Sequence, residues 1–131
     1  MNTLILDAAL GTQLAVNGEE LPDWKKSLWS AHALINKPEA ILKIHLDNIE
    51  AGADVITTSN YYATPIILAK DSTKHDYKEL VKRALDLVQE AIKISGKNCQ
   101  IAGSFPPINI SFRPDLTLSL IHISEPTRHA S

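Results

Sequence analysis

Residues 45–64 limit the possible folds of this chain more than any other stretch. They contain, in order, the end of a helical pattern, the turn Ala51-Gly52-Ala53, a short β-branched run and a polar loop. Gly52 can adopt the left-handed conformation that ends a helix. Residues 54–58 are typical of a strand buried on both faces. A polar loop directly after such a strand is where α/β proteins bind ligands.

Two further runs with strand character lie on either side of this unit, at residues 3–6 and 100–104. Asp7 follows the first run directly, and Phe105-Pro106-Pro107 ends the second, because proline cannot continue a hydrogen-bonded ladder. Helical patterns separate the three runs. The order strand, helix, strand, helix, strand favours parallel strands joined by right-handed crossovers. The sequence therefore predicts an α/β fold.

The longest predicted helix covers residues 77–95, with Asp76 as its N-cap, an apolar stripe along one face and Gly96 as its stop. Another is predicted to begin at Pro38, since proline is favoured at the first helical position, and to continue to Gly52. Shorter helices are predicted near residues 8–15, 27–35 and 66–68.

Composition excludes several classes of function. The formal net charge of −2 provides no basic surface for nucleic acid. No apolar run approaches the roughly 20 residues of a membrane span, and residues 1–3 lack the features of a signal peptide, so the cytoplasm is expected. Cys99 is the single cysteine, which excludes an intrachain disulfide and a metal site built from two thiolates of this chain.

Asp7 has the sharpest chemical interpretation. A carboxylate at the carboxyl end of a strand can bind the ammonium group of an amino-acid substrate. The same position, just before a predicted helix, also suits an N-cap. From the residues alone, the two interpretations are equally supported.

The polar loop at residues 57–64 can present hydroxyl, amide and phenol groups to a small ligand. Thr58, Asn60 and Tyr62 are its candidate contacts. Ordinary loop chemistry is the alternative, and spacing alone favours it. Of the adjacent pair Tyr61-Tyr62, one ring is expected to be simply packed.

Four other residues that carry chemistry have structural interpretations. Trp29 can form a pocket wall, although a tryptophan on a short helix more often lies in the core. His32 and His45 have no partner at metal-ligand spacing, so both are interpreted as structural. Cys99 is expected to pack as a small hydrophobic residue.

An ordered set of motifs resembles homocysteine S-methyltransferases. Residues 6–14, LDAALGTQL, are similar to the opening D-G-A-L-G-T-E-L of that family. The short motifs LWSA, PE, HLD and AGAD follow in the family's order, and residues 56–64, ITTSNYYAT, resemble its second-strand motif. Ala102-Gly103-Ser104 and Arg113-Pro114-Asp115 resemble the third-strand region. The resemblance extends from about Leu4 to Asp115.

The resemblance implies a (β/α)8 TIM barrel, of which residues 1–116 supply about the first three βα units. It implies methyl transfer from S-methylmethionine or S-adenosylmethionine to L-homocysteine, giving methionine; betaine is the donor in another branch. The family uses zinc, which turns a thiol that is only about 3% ionised at pH 7 into a bound thiolate. Its three cysteine ligands come from later strands, and Cys99 matches none of them.

Carried over to this sequence, the resemblance assigns Asp7 to the substrate amino group and places Ala8, Thr58, Asn60 and Tyr62 in the same binding site. Ala8 stands where the family usually has glycine, and its methyl group narrows the approach to Asp7 if position 8 needs a positive φ. Tyr62 falls where the betaine branch has a donor-site tyrosine and the other branch often has glutamine. Residues 106–115 are more similar to the S-methylmethionine branch.

After Leu116 the resemblance ends. Residues 118–128 are similar to a translated sequencing adapter, so residues 117–131 are predicted to be a non-native tail, with a genuine fourth strand as the alternative. Three of eight strands cannot close a barrel, and the chain alone is therefore expected to be unstable and inactive. A non-catalytic fragment or interaction module with a partial homocysteine pocket is the other hypothesis.

Overall fold

The structure is a computed structural model that describes residues 2–22, 29–70 and 74–106. Its helices are α1 (Leu10–Val16), α2 (His32–Asn36), α3 (Pro38–Glu50), α4 (Pro65–Lys70) and α5 (Tyr77–Ser95), with a 3-10 turn at Trp29–Ala31. Its strands are β1 (Val55–Thr57) and β2 (Gln100–Ala102). The boundary predicted at residue 116, the tail at 117–131 and the motif at 113–115 lie outside the described residues.

The two strands pair in parallel, as the alternation of patterns predicted. The register pairs Val55 with Gln100, Ile56 with Ile101, and Thr57 with Ala102. On the opposite side of β1, Leu6 forms a parallel bridge to Val55, and Asp7 N donates to the Val55 carbonyl at 3.1 Å. Three parallel segments therefore lie side by side in chain order, which confirms the α/β prediction.

The first predicted strand, at residues 3–6, is reduced to that single bridge. Ile5 N donates to the Asp54 carboxylate at 2.9 Å instead of to a backbone carbonyl. The Ile5 carbonyl in turn accepts from Asp54 N at 2.7 Å and from Val55 N at 3.2 Å. The side-chain bond interrupts the regular ladder. The other two predicted strands are also shorter than expected, and they end at Thr57 and Ala102.

Helix α3 begins and ends where the sequence predicted. Pro38 occupies the first turn, where its missing N–H costs nothing. Gly52 follows the helix with φ +108°, a conformation that a side chain would disfavour. The inner face of α3 buries Ile41, Ile44 and Ile49.

Helix α5 is amphipathic over its whole length and packs against α3. The Asp76 carboxylate accepts a bond from Lys78 N at 3.4 Å, and Gly96 ends the helix in the left-handed region with φ 69°. The buried stripe consists of Leu80, Ala84, Leu87, Val88 and Ala91. The predicted cap, stripe and stop are all confirmed.

The predicted helix at residues 27–35 is divided into two elements. Trp29–Ala31 is a 3-10 turn, and α2 then continues to Asn36, one residue beyond the predicted end. The 3-10 turn begins with an unusual backbone: Trp29 has φ +44°, which an L-residue with a bulky side chain adopts only under constraint. Residues 27 and 28 lie outside the described ranges.

Among the residues that the structure describes, the buried apolar side chains form two clusters under the helices. The larger includes Leu14, Leu34, Ile41 and Ile44 together with residues of α4 and α5. The smaller joins β1 to α5, and Cys99 packs against it while remaining half-buried. Within the described ranges, no helix combines the length and apolar character that a membrane span requires.

Candidate functional site

A cavity of about 320 Å³ opens at the carboxyl end of β1. Four separate segments form its wall: residues 7–11, the start of the 3-10 turn, the end of β1 with its following loop, and the loop that follows β2. The lining residues are Asp7, Ala8, Ala9, Leu10, Gly11, Trp29, Ser30, Thr57, Thr58, Ser59, Tyr61 and Ser104. Parallel strands bring their carboxyl ends to one edge, so segments distant in sequence meet at this cavity.

Asp7 projects into this cavity with its carboxylate held by one residue of the neighbouring strand. Its Oδ2 accepts from Thr57 N at 2.9 Å, and its Oδ1 accepts from Thr57 Oγ1 at 2.9 Å. A carboxylate oxygen has a second lone pair, so the oriented group can still accept from a ligand. A cationic donor would form the charge-assisted kind of hydrogen bond, which is the stronger kind.

The N-cap interpretation of Asp7 is wrong. The N-cap position of α1 is Ala9, and no side chain caps this helix. Asp7 lies two residues too early, and its carboxylate is turned across the sheet toward Thr57. The ligand-directed interpretation of Asp7 stays a prediction, and the position of the carboxylate at the cavity is consistent with it.

Thr58 and Asn60 are buried and tie together the loops that follow the two strands. Thr58 Oγ1 donates to Asn60 Oδ1 at 2.6 Å and accepts from Ser104 N at 2.9 Å. Asn60 Nδ2 donates to the Ser104 carbonyl at 3.1 Å. Thr58 also lines the cavity, whereas Asn60 does not. The hydrogen bonds form a closed network that shapes the cavity rim from behind.

Ala8 lines the cavity and is exposed. Among the non-glycine residues that the structure describes, a positive φ occurs only at Trp29. Position 8 therefore does not need the glycine-like backbone that the sequence analysis considered. Its methyl group faces solvent without backbone strain.

The two tyrosines have different environments. Tyr61 is 40% exposed and lines the cavity, whereas Tyr62 is 3% exposed and lies behind the wall. The Tyr62 ring meets the Trp29 ring edge to face, with centroids 5.5 Å apart and planes at 79°. It meets Tyr61 in the same way at 5.6 Å. As expected, one member of the pair is packed, and it is Tyr62, the residue that the sequence assigned to the site.

His45 lies on the buried face of α3 and is only 1% exposed. Neither ring nitrogen has a hydrogen-bond partner among the described residues. Burial lowers the pKa of His45 from 6.5 to about 4, while the negative charge of Asp7 acts in the opposite direction. The ring is therefore neutral at neutral pH. His32, in contrast, has a hydrogen-bond partner: its Nε2 lies 2.8 Å from Asn36 Nδ2 on the same helix.

The described residues do not fit a metal site. Within residues 2–22, 29–70 and 74–106, no three histidine, cysteine or acidic side chains are grouped closely enough to bind an ion. The Cys99 thiol donates to the Ala53 carbonyl at 3.5 Å. It lies just before β2, and because the strands are parallel, this is the end of the sheet opposite the Asp7 cavity.

Comparison with known proteins identifies the family. A family model described as homocysteine S-methyltransferase matches residues 4–128. The chain belongs to the homocysteine S-methyltransferase family. Homocysteine S-methyltransferase 4 of Zea mays is 38% identical over 91 residues, which are 69% of this chain and 26% of that protein. The homocysteine S-methyltransferase of Escherichia coli (strain K12) is 38% identical over 89 residues, 67% of this chain and 28% of that protein.

The fold is also similar to a solved homocysteine methyltransferase. The crystal structure of MmuM from Escherichia coli in its metallated form superposes with a TM-score of 0.69 at 33% sequence identity. The aligned region covers 82% of this chain and 38% of that one. This homocysteine S-methyltransferase family member thus spans between 26% and 38% of the lengths of these proteins.

For two residues that line the cavity of this family member, the sequence did not predict a role in the site. For Trp29 the sequence favoured a core position over a pocket wall, and the structure shows both: the residue packs against the larger apolar cluster and lines the cavity. Gly11 was not among the residues predicted for the site, yet its lack of a side chain accommodates the Trp29 ring. The sequence did contain a signal for Gly11: a glycine inside a helical pattern weakens the helix, so its presence usually has a packing reason. The identity of its partner required the tertiary structure.

Proposed function

We propose that this chain forms the homocysteine-binding part of an enzyme that transfers a methyl group to L-homocysteine, giving methionine. The observation that carries the proposal is the oriented Asp7 carboxylate in a cavity at the carboxyl end of parallel strands. The family match supports the choice of homocysteine as the amino acid. The activity of the whole protein is part of the proposal, since the chain spans only 26% of the Zea mays relative.

In this proposal, Asp7 binds the ammonium group of homocysteine. The two bonds from Thr57 fix the carboxylate before the substrate arrives, so little side-chain freedom is lost on binding. The Thr58–Asn60–Ser104 network keeps the two loops at a constant separation behind the cavity. The substrate is thereby oriented with its amino group toward Asp7, and its thiol is directed away from that carboxylate.

The methyl donor is proposed to be a sulfonium, S-methylmethionine or S-adenosylmethionine. The aromatic residues Trp29 and Tyr61 line the cavity, and aromatic rings can bind a cationic ligand. A betaine-type contact would involve Tyr62, but this ring is 3% exposed behind the wall. The position of Tyr62 therefore favours the sulfonium donor.

We also propose that the three parallel segments begin a (β/α)8 barrel. Leu4, Ile5 and Leu6 are 56%, 55% and 66% exposed, and Phe105 is 74% exposed. Large apolar side chains next to both outer segments of a small sheet favour further strands on either side. The family's zinc would activate the homocysteine thiol in the complete barrel. The described residues offer no ligand set for this zinc.

The segment boundary at residue 116 remains a prediction. The family match continues to residue 128, beyond that boundary. Sequencing the transcript across codons 113–131 tests it directly. An uninterrupted genomic reading frame through residue 131 would contradict the non-native tail.

A chimera tests the proposed function. The matching amino-terminal segment of the Escherichia coli enzyme is replaced by this chain, and methionine formation is measured with each donor separately. We expect activity with a sulfonium donor, and a loss of about tenfold to a hundredfold in kcat/KM for homocysteine when Asp7→Asn removes the charge. Asp47→Asn is the matched control, since Asp47 is an exposed partner of Lys43 on α3. A folded chimera whose activity is unaffected by Asp7→Asn would refute the proposal.

Calorimetry on the 131-residue chain separates the enzyme from the non-catalytic hypothesis. Homocysteine binding that is lost in Asp7→Asn, together with an inactive chimera, would favour a binding module. An active chimera favours the enzyme. If the chain and the chimera are both folded by circular dichroism, no homocysteine binding and no chimera activity would exclude both.

A further inference from the structure

Gly11 lies in the first turn of α1, is buried, and faces the indole ring of Trp29. A β-carbon at position 11 would lie 2.5 Å from Trp29 Cη2, 2.8 Å from Cζ3 and 2.9 Å from Cζ2. Non-bonded carbon atoms in proteins do not approach this closely, since their contact distances are about 3.5 to 4.0 Å. The outer ring of Trp29 therefore occupies the space that any other residue at position 11 would fill.

Trp29 cannot simply move away from position 11. Its ring packs against the larger apolar cluster and meets the buried Tyr62 ring at 5.5 Å. Its backbone has φ +44°, a conformation that persists only where the surroundings hold it. The indole is thus held between α1 on one side and Tyr62 on the other.

We infer that Gly11 is a positioning residue of this site: its missing side chain seats the Trp29 ring, and the seated ring forms one wall of the Asp7 cavity. The inference rests on the proposed function for the ligand, homocysteine, and goes beyond it by giving Gly11 a role. Both residues line the same cavity as Asp7. The width of the cavity therefore depends on a contact between α1 and the 3-10 turn.

Tryptophan emission tests the seating directly. The chain has two tryptophans, so a Trp24→Phe background isolates Trp29. Gly11→Ala in this background is expected to shift the emission maximum to longer wavelength, because the displaced ring becomes more exposed to water. Gly103→Ala is the matched control, since an added β-carbon there meets no described atom within 4 Å. Unchanged emission in a folded Gly11→Ala chain would overturn the inference.

A double variant covers the outcome in which Gly11→Ala does not fold. Trp29→Phe shortens the ring that approaches position 11, so adding it to Gly11→Ala is expected to restore the far-UV circular dichroism of the chain. Restoration, or non-additivity between the two substitutions, supports the contact. If the double variant stays unfolded while Trp29→Phe alone and Gly103→Ala fold, the contact does not explain the requirement for glycine, and the inference is wrong.

Homocysteine calorimetry on the full chain then measures the consequence for the site. Gly11→Ala is expected to raise the Kd for homocysteine about tenfold, and Trp29→Phe should make the same glycine substitution nearly silent. An unchanged Kd in a folded Gly11→Ala chain would refute the positioning role. All three measurements are made in sucrose, which stabilises the folded state. If the unaltered chain is folded but does not bind homocysteine, the proposed function fails for this chain, while the emission and double-variant results still decide the seating of Trp29.

Discussion

Acidification is expected to destabilise this fold through His45. The ring is 1% exposed, and its nitrogens have no hydrogen-bond partner among the described residues. Burial lowers its pKa from 6.5 to about 4. Because the folded value is the lower one, the unfolded chain binds more protons between these two values. The free energy of unfolding therefore falls as the pH decreases through this window, and the full contribution is present only above pH 6.5.

The size of the effect follows from the pKa difference. Protonating the buried ring completely would cost about 3 kcal/mol. Between pH 7 and pH 5, the linkage relation gives a loss of about 2 kcal/mol. For a domain of this size, that loss is a large fraction of the total stability.

Urea unfolding followed by circular dichroism at several pH values measures this loss. A constant concentration of sucrose can bring a marginal transition into range, because it stabilises the folded state. His45→Leu removes the titrating group, so its stability curve should be flatter between pH 7 and pH 5 by about 2 kcal/mol. His32→Gln is the matched control, since it leaves His45 in place. Equal pH dependence in the His45→Leu and unaltered chains would refute the reasoning.

Four further predictions concern three sets of buried or hydrogen-bonded residues and the stability of the chain as a whole. Thr57→Val removes the hydroxyl bond to Asp7 and should weaken homocysteine binding roughly fivefold in calorimetry. Asn60→Ala opens the buried network between the two loops and should lower the free energy of urea unfolding by about 1 to 3 kcal/mol. Ile56→Ala, at 0% exposure, should cost about 2 to 5 kcal/mol in the same assay, whereas Ile66→Ala, at 38%, should cost much less. The purified chain alone is expected to be unstable and inactive. Cooperative unfolding together with stoichiometric zinc uptake would contradict this expectation.

The local elements of this fold could be predicted from the sequence because their signals lie within a few residues of each other. Pro38 and Gly52 bound α3, and Asp76 and Gly96 bound α5, since caps and stops act within one helical turn. The alternation of strand and helix patterns was sufficient for the parallel sheet. The ordered motifs were sufficient for the family.

The site itself was decided by contacts between residues far apart in the chain. Asp7 and Thr57 are 50 positions apart, and whether the carboxylate caps a helix or faces a cavity depends on how the first segment pairs with β1. The same holds for Trp29 on Gly11 and for the burial of His45 beside the charge of Asp7. Residue type and spacing determined where most of the helices and strands lie along the chain. Strand register and helix packing determined which side chains meet, because those distances are set only when the whole fold is assembled.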